Sequence, residues 1–145
     1  MVAYTRLLSS HRLLEEEMGV YTYFTGTSMK IICSELKSEL LSELLDARMK
    51  HTEWVTQVVN EKSLSVEESP NHCRFGKWII DVKDILADLD EYHQLMEPHI
   101  NLHHAYTQFK ENSRQETFKD EIKRFSSQLI DRIDALEKTL NQSNV

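Results

Sequence analysis

The sequence predicts an all-α fold, and three observations carry that prediction. Glycine and proline are scarce, three and two in 145 residues, so few positions break a helix. Apolar residues recur at three- and four-residue spacing over long stretches, which is the helical period. The β-prone run Val20-Tyr21-Thr22-Tyr23-Phe24-Thr25, bracketed by Gly19 and Gly26, has no partner strand. It is expected to form a packed loop or a helix that overrides its propensity.

Taken in order, residues 7–18 offer a short helix with Leu7, Leu8, Leu13 and Leu14 as its apolar residues. Residues 28–60 read as one long helix. Its stripe of Leu40, Leu44, Ala47, His51, Trp54 and Val58 turns toward a core and continues upstream through Leu36 and Ile32. Pairing of two such helices is an expectation of that continuation. Residues 61–71, with Ser63, Ser65, Ser69 and Pro70, form a connector, and a short helix over 73–84 carries Phe75, Trp78, Ile79 and Val82. A third main helix is predicted over 88–110, with Leu89, Tyr92, Met96, His99, His103 and Tyr106 inward and a kink or restart at Pro98. Asn112-Ser113 supplies capping chemistry for a last helix marked by Phe118, Ile122, Phe125, Leu129, Ile133, Leu136 and Leu140. Two parts follow: an extension over 1–45, mostly helical and possibly continuous with the first core helix, and a core module over 46–142. No internal repeat or low-complexity tract is present.

Composition narrows function by exclusion. Hydrophobic residues at 40% and charged residues at 28% are ordinary for a globular domain, and a chain of this length buries a core without disulfides. A net charge of −7 leaves no basic face for phosphate, which argues against a nucleic-acid partner. The N-terminus lacks the basic, apolar, small-residue order of a secretory signal, and no apolar run approaches the ~20 residues of a membrane span. The cytoplasm is the expected compartment, where two cysteines read as thiols, ligands or packing residues.

Placement of histidine and cysteine carries the chemistry. His99 and His103 stand at i and i+4 in Pro98-His99-Ile100-Asn101-Leu102-His103, so both imidazoles leave the helix in one direction. Cys73 opens the block Cys73-Arg74-Phe75-Gly76-Lys77-Trp78, and His51 lies on the inward stripe of the first long helix. These side chains, from three helices, suit a tetrahedral zinc ion. Such a set is closed, with no position for water or substrate, so a structural or sensory site is expected rather than a catalytic one. Affinity should fall at low pH, because the ion needs a thiolate and neutral imidazoles. For each residue alone the ordinary role is packing. An inward histidine is commonly a hydrogen-bonded core residue, and Cys33, beside Ile31 and Ile32, reads as core. His72 and His104 point away from their neighbours and read as surface or rim, as does His93, and His11 lies in the extension. Trp54 and Trp78 are expected to pack around the site and shield it from water.

Three blocks also carry a resemblance. Lys50-His51-Thr52-Glu53-Trp54, then Cys73-Arg74-Phe75-Gly76-Lys77-Trp78, then His99-Ile100-Asn101-Leu102-His103 resemble the signature of the chemoreceptor zinc-binding (CZB) domain, in the family's order across about 46–142. The resemblance implies an antiparallel four-helix bundle with an additional N-terminal segment, holding one Zn2+ per chain. Its ligands would be His51, Cys73, His99 and His103. It further implies a homodimer and a role as a bacterial cytoplasmic sensor attached to a chemoreceptor or diguanylate cyclase. Zinc, and in some members oxidation of the ligand cysteine, would control chemotaxis or cyclic-di-GMP turnover. The chain has no room for a signalling hairpin or a cyclase domain, so it is expected to be either a free-standing regulator or a piece of something larger, its initiator Met slightly favouring the first.

Rival readings are weaker in the residues. A zinc hydrolase of the H-E-x-x-H type wants Glu after its first histidine, and Ile100 stands there. A di-iron carboxylate bundle wants Glu three residues before His, and no histidine here has one. A metal-free helical dimerisation or adaptor protein is the alternative that a metal assay separates.

Overall fold

The computed structural model describes residues 33–60 and 69–142. Among them 83% are helical and none lies in a strand, so the fold is all-α. The predicted helix over 7–18, the β-prone run over 20–25, Ile32 and most of the connector fall outside the described residues.

Helix α1 (Ser34–Val59) buries Leu36, Leu40, Leu44, Ala47, His51, Trp54, Val55 and Val58, the stripe the sequence spacing predicts. It runs unbroken through Leu45 and Asp46 and ends at Asn60, whose N–H is accepted by the Thr56 carbonyl. The predicted helix over 73–84 is two pieces, α2 (Arg74–Asp81) and α3 (Lys83–Leu86), broken at Val82. Buried Val82 lies with Trp78, Ile79, Ile85 and Leu86 in one cluster, so the bend keeps both pieces on the core.

The helix predicted over 88–110 also divides, into α4 (Asp90–His93) and α5 (Met96–Glu111), but not at its proline. The break falls at Gln94-Leu95, and Pro98 is the third residue of α5. A first-turn N–H has no intrahelical acceptor, so proline there removes no bond. Helix α6 (Glu116–Gln142) buries Ile122, Leu129, Ile133, Leu136 and Leu140. Asn112-Ser113 does not cap it; these residues close α5 instead. The Asn112 amide donates to the Gln108 carbonyl at 2.9 Å, and the Arg114 N–H donates to the Phe109 carbonyl at 3.0 Å. Ser113 and Arg114 take φ of 57°. That combination is a Schellman closure, built here without its usual glycine.

Helix α6 packs along both α5 and α1 and touches α4, while α2 rests on α5. One apolar cluster joins all of these. Arg48 on α1 pairs with Asp134 and, at 2.9 Å, with Glu137 on α6. These pairs are partly exposed and contribute at most about 1 kcal/mol each, so buried leucine and isoleucine carry the packing. Tyr92 donates its hydroxyl to the Ile79 carbonyl at 2.5 Å and pins α4 to the end of α2.

Candidate metal centre

Each donor is set by its own element. His51 lies on the buried stripe of α1, and its Nδ1 is 2.8 Å from the Ala47 carbonyl oxygen. A carbonyl only accepts, so Nδ1 carries the hydrogen and Nε2 presents a lone pair. That Nε2 stands 3.8 Å from Cys73 Sγ. Cys73 immediately precedes α2, half-buried, with its backbone N–H given to the Ser69 carbonyl at 3.0 Å. On α5, His99 and His103 are one turn apart and both buried, with ring centroids 4.7 Å from each other.

One donor atom from each of these four residues lies within 4.8 Å of the others. A tetrahedral zinc ion with nitrogen and sulfur ligands has donor–donor edges of about 3.3–3.6 Å. The set therefore needs contraction of about an ångström at its widest edge. Every residue the sequence named as a ligand is in this group. His72, His93 and His104 are exposed and outside it, and His93 instead donates to the Ala87 carbonyl at 2.6 Å. His11 lies outside the described residues, and Cys33 is half-buried against the apolar cluster.

The electrostatics suit a cation. Burial, then the neighbouring His103 and His51, depress the pKa of His99 to about 3. Burial also lowers that of His51, against a smaller opposing effect of its Ala47 hydrogen bond and of Asp46. Both are therefore neutral at neutral pH, the form that ligates. Both ring nitrogens of His99 are buried and neither has a hydrogen-bond partner. Leaving a buried polar group unsatisfied costs about 1–3 kcal/mol, and a metal ion would take the single lone pair of the neutral ring, on its unprotonated nitrogen. The residues fit zinc.

The walls are aromatic. Trp54 stacks on His103 with centroids 5.3 Å apart, and Phe75 meets His51 at 5.5 Å and His99 at 5.4 Å edge-on. Trp78, fully buried, stacks on Phe75. Gly76, on the wall, leaves no room for a side chain. A Cβ there would fall 1.8 Å from the Pro70 oxygen and 3.0 Å from His99 Cε1. The sequence signal for this role was a glycine inside a helical pattern. Neither the Ala47 carbonyl nor Arg74, which pairs with Glu43 on α1 at 2.8 Å, was singled out by sequence reasoning. For Arg74 the available signal was a cation in a helix's first turn.

Neither a curated protein nor a solved structure matches the chain. The family model described as the chemoreceptor zinc-binding domain matches residues 51–110, a span that contains all four converging donors. Over those residues the chain is similar to the chemoreceptor zinc-binding domain, consistent with a member of that family.

Proposed function

We propose that this protein is a zinc-binding sensory module, with His51, Cys73, His99 and His103 as the ligands and the metal as its input. The observation that carries the reading is the convergence of four donors from three separate helical elements within 4.8 Å. Zinc there would join α1, the start of α2 and α5, and its departure would free the start of α2. Oxidation of the Cys73 sulfur by a peroxide-class oxidant, thiolate to sulfenic acid, would remove one ligand and act as a second input. A closed four-ligand set leaves no open position, which supports a regulatory and not an enzymatic role.

The remaining parts of the reading rest on the family and on surface pattern. The architecture we propose is a four-helix bundle in which the α2–α3 run is the fourth side beside α1, α5 and α6. The zinc-binding module we propose is residues 46–142, with 1–45 as an extension continuous with it through α1, whose Leu36, Leu40 and Leu44 join the same apolar cluster. We place the protein in the cytoplasm; no helix among the described residues is long and apolar enough to cross a membrane. We also propose a homodimer. Ser38, Ser42, Leu45, Met49, Thr52 and Thr56 repeat at helical spacing along α1, all exposed and none charged. Leu45 and Met49 are 51% and 63% exposed on that line. In a chain with 28% charged residues, an uncharged exposed stripe supports a second helix lying on it. The output proposed is chemotaxis or cyclic-di-GMP signalling through a bacterial partner.

Elemental analysis of protein purified without added metal tests the central claim. One zinc per chain is expected, with loss in Cys73→Ala and in His99→Ala. Absence of zinc after loading under reducing conditions would leave a metal-free helical adaptor.

A further inference from the structure

Three of the four donors sit inside long helices, whereas Cys73 precedes an eight-residue helix. Its position therefore depends on what fixes the start of α2. The residue that follows, Arg74, is unusual in that place. A cation in the first turn meets the positive end of the helix dipole, and this one would also stand next to a bound divalent ion. The first turn of α2 contains no acidic residue to offset it.

The offset comes from α1. Arg74 Nη2 is 2.8 Å from Glu43 Oε1, and its Nη1 is 3.8 Å from Asp46 Oδ2. Asp46 is itself bridged to Lys50 at 3.0 Å. Glu43 and Asp46 stand about two turns and about one turn ahead of His51 on the same helix. The ion pairs thus join the two elements whose donors, His51 Nε2 and Cys73 Sγ, face each other at 3.8 Å.

We infer that Arg74 is a positioning residue for the sulfur ligand. Its ion pairs with Glu43 and Asp46 hold the start of α2 against α1, so that Cys73 faces His51 before any metal arrives. The consequence for affinity rests on the metal-binding reading above; the contact itself does not. A ligand placed in advance loses less freedom when the metal binds, so removing the clamp should weaken binding without removing a ligand.

The test is a double-mutant cycle in the full chain, read as zinc affinity by competition with a chelator. Arg74→Ala should weaken zinc about three- to tenfold, and Arg74→Lys should recover part of that. In a Glu43→Gln/Asp46→Asn background, Arg74→Ala should have almost no further effect. An unchanged affinity in Arg74→Ala, or an additive effect in that background, overturns the inference. A second readout uses metal-free protein: amide exchange at Cys73 and Lys77 should speed up in Arg74→Ala while α6 stays protected. Equal exchange in wild type and variant likewise overturns it. If the wild type binds no zinc, the metal-binding reading fails, and the exchange comparison alone decides whether the clamp exists.

Discussion

An uncharged, buried His99 sets how the metal-free protein responds to acid. Unfolded, a histidine titrates near 6.5; folded, His99 titrates at about 3. Above 6.5 neither state binds the proton and the group has no effect on stability. Between 6.5 and 3 the unfolded chain takes up a proton that the folded chain does not. Stability should then fall by about 1.4 kcal/mol per pH unit from this group, and His51 adds in the same direction. Urea unfolding of metal-free protein from pH 7.5 to 4.5 should show that slope, and His99→Leu should flatten it. A slope that His99→Leu leaves unchanged would assign the acid sensitivity elsewhere. Gly76 supplies a second test with opposed terms. Helix propensity favours Gly76→Ala by about 1 kcal/mol, but the new methyl meets the Pro70 carbonyl and His99. Overpacking of this kind costs about 1–3 kcal/mol or more, so the variant should unfold at lower denaturant and bind metal less tightly. At this scale the converging donors were legible because His99 and His103 share a helical face, and His51 lies on an apolar stripe. The clamp was not, since Arg74 and Glu43 are 31 residues apart and only the packing of α2 brings them together.

The elements divide into those fixed by period and those fixed by contacts. Helices α1 and α6 were legible because apolar stripes of 26 and 27 residues leave one way to face a core. On α6, Ile133 is fully buried, so Ile133→Ala should cost about 2–4 kcal/mol by chemical unfolding. The break between α4 and α5 was misplaced because proline was read as an interruption. It comes instead where Leu95 turns fully into the core and the chain restarts two residues ahead of Pro98. The reversal after α5 was misread for a related reason. Asn112 and Ser113 have the chemistry of either helix end, and sequence does not say which helix they serve. Ser113, at φ 57°, holds a conformation that glycine adopts without strain. Ser113→Gly should therefore raise stability by about 0.5–1 kcal/mol, seen as a higher thermal midpoint; a lower midpoint would mean that the serine side chain matters more than the backbone.

For the whole molecule, a metal at these residues would act as a cross-link. His51 and Cys73 are 22 residues apart in sequence, and His99 follows Cys73 on the far side of α2 to α4. A tie across such loops restricts the unfolded chain and holds α2 to its neighbours. Chelation should lower the thermal midpoint by several degrees and speed amide exchange in α2 ahead of α6. Uniform loosening would point to an ion that stabilises the fold without acting on one part. The proposed dimer has its own check, in which Met49→Glu should shift sedimentation toward the monomer while leaving zinc content unchanged. The aromatic walls have a practical consequence as well. Both tryptophans of the chain line this region, Trp54 against His103 and Trp78 against Phe75. Ultraviolet-excited emission from the unlabelled protein is thus dominated by indoles within one or two contacts of the donors. Ion arrival, ion loss and sulfur oxidation should each change its intensity or colour, so the protein carries its own optical gauge of occupancy.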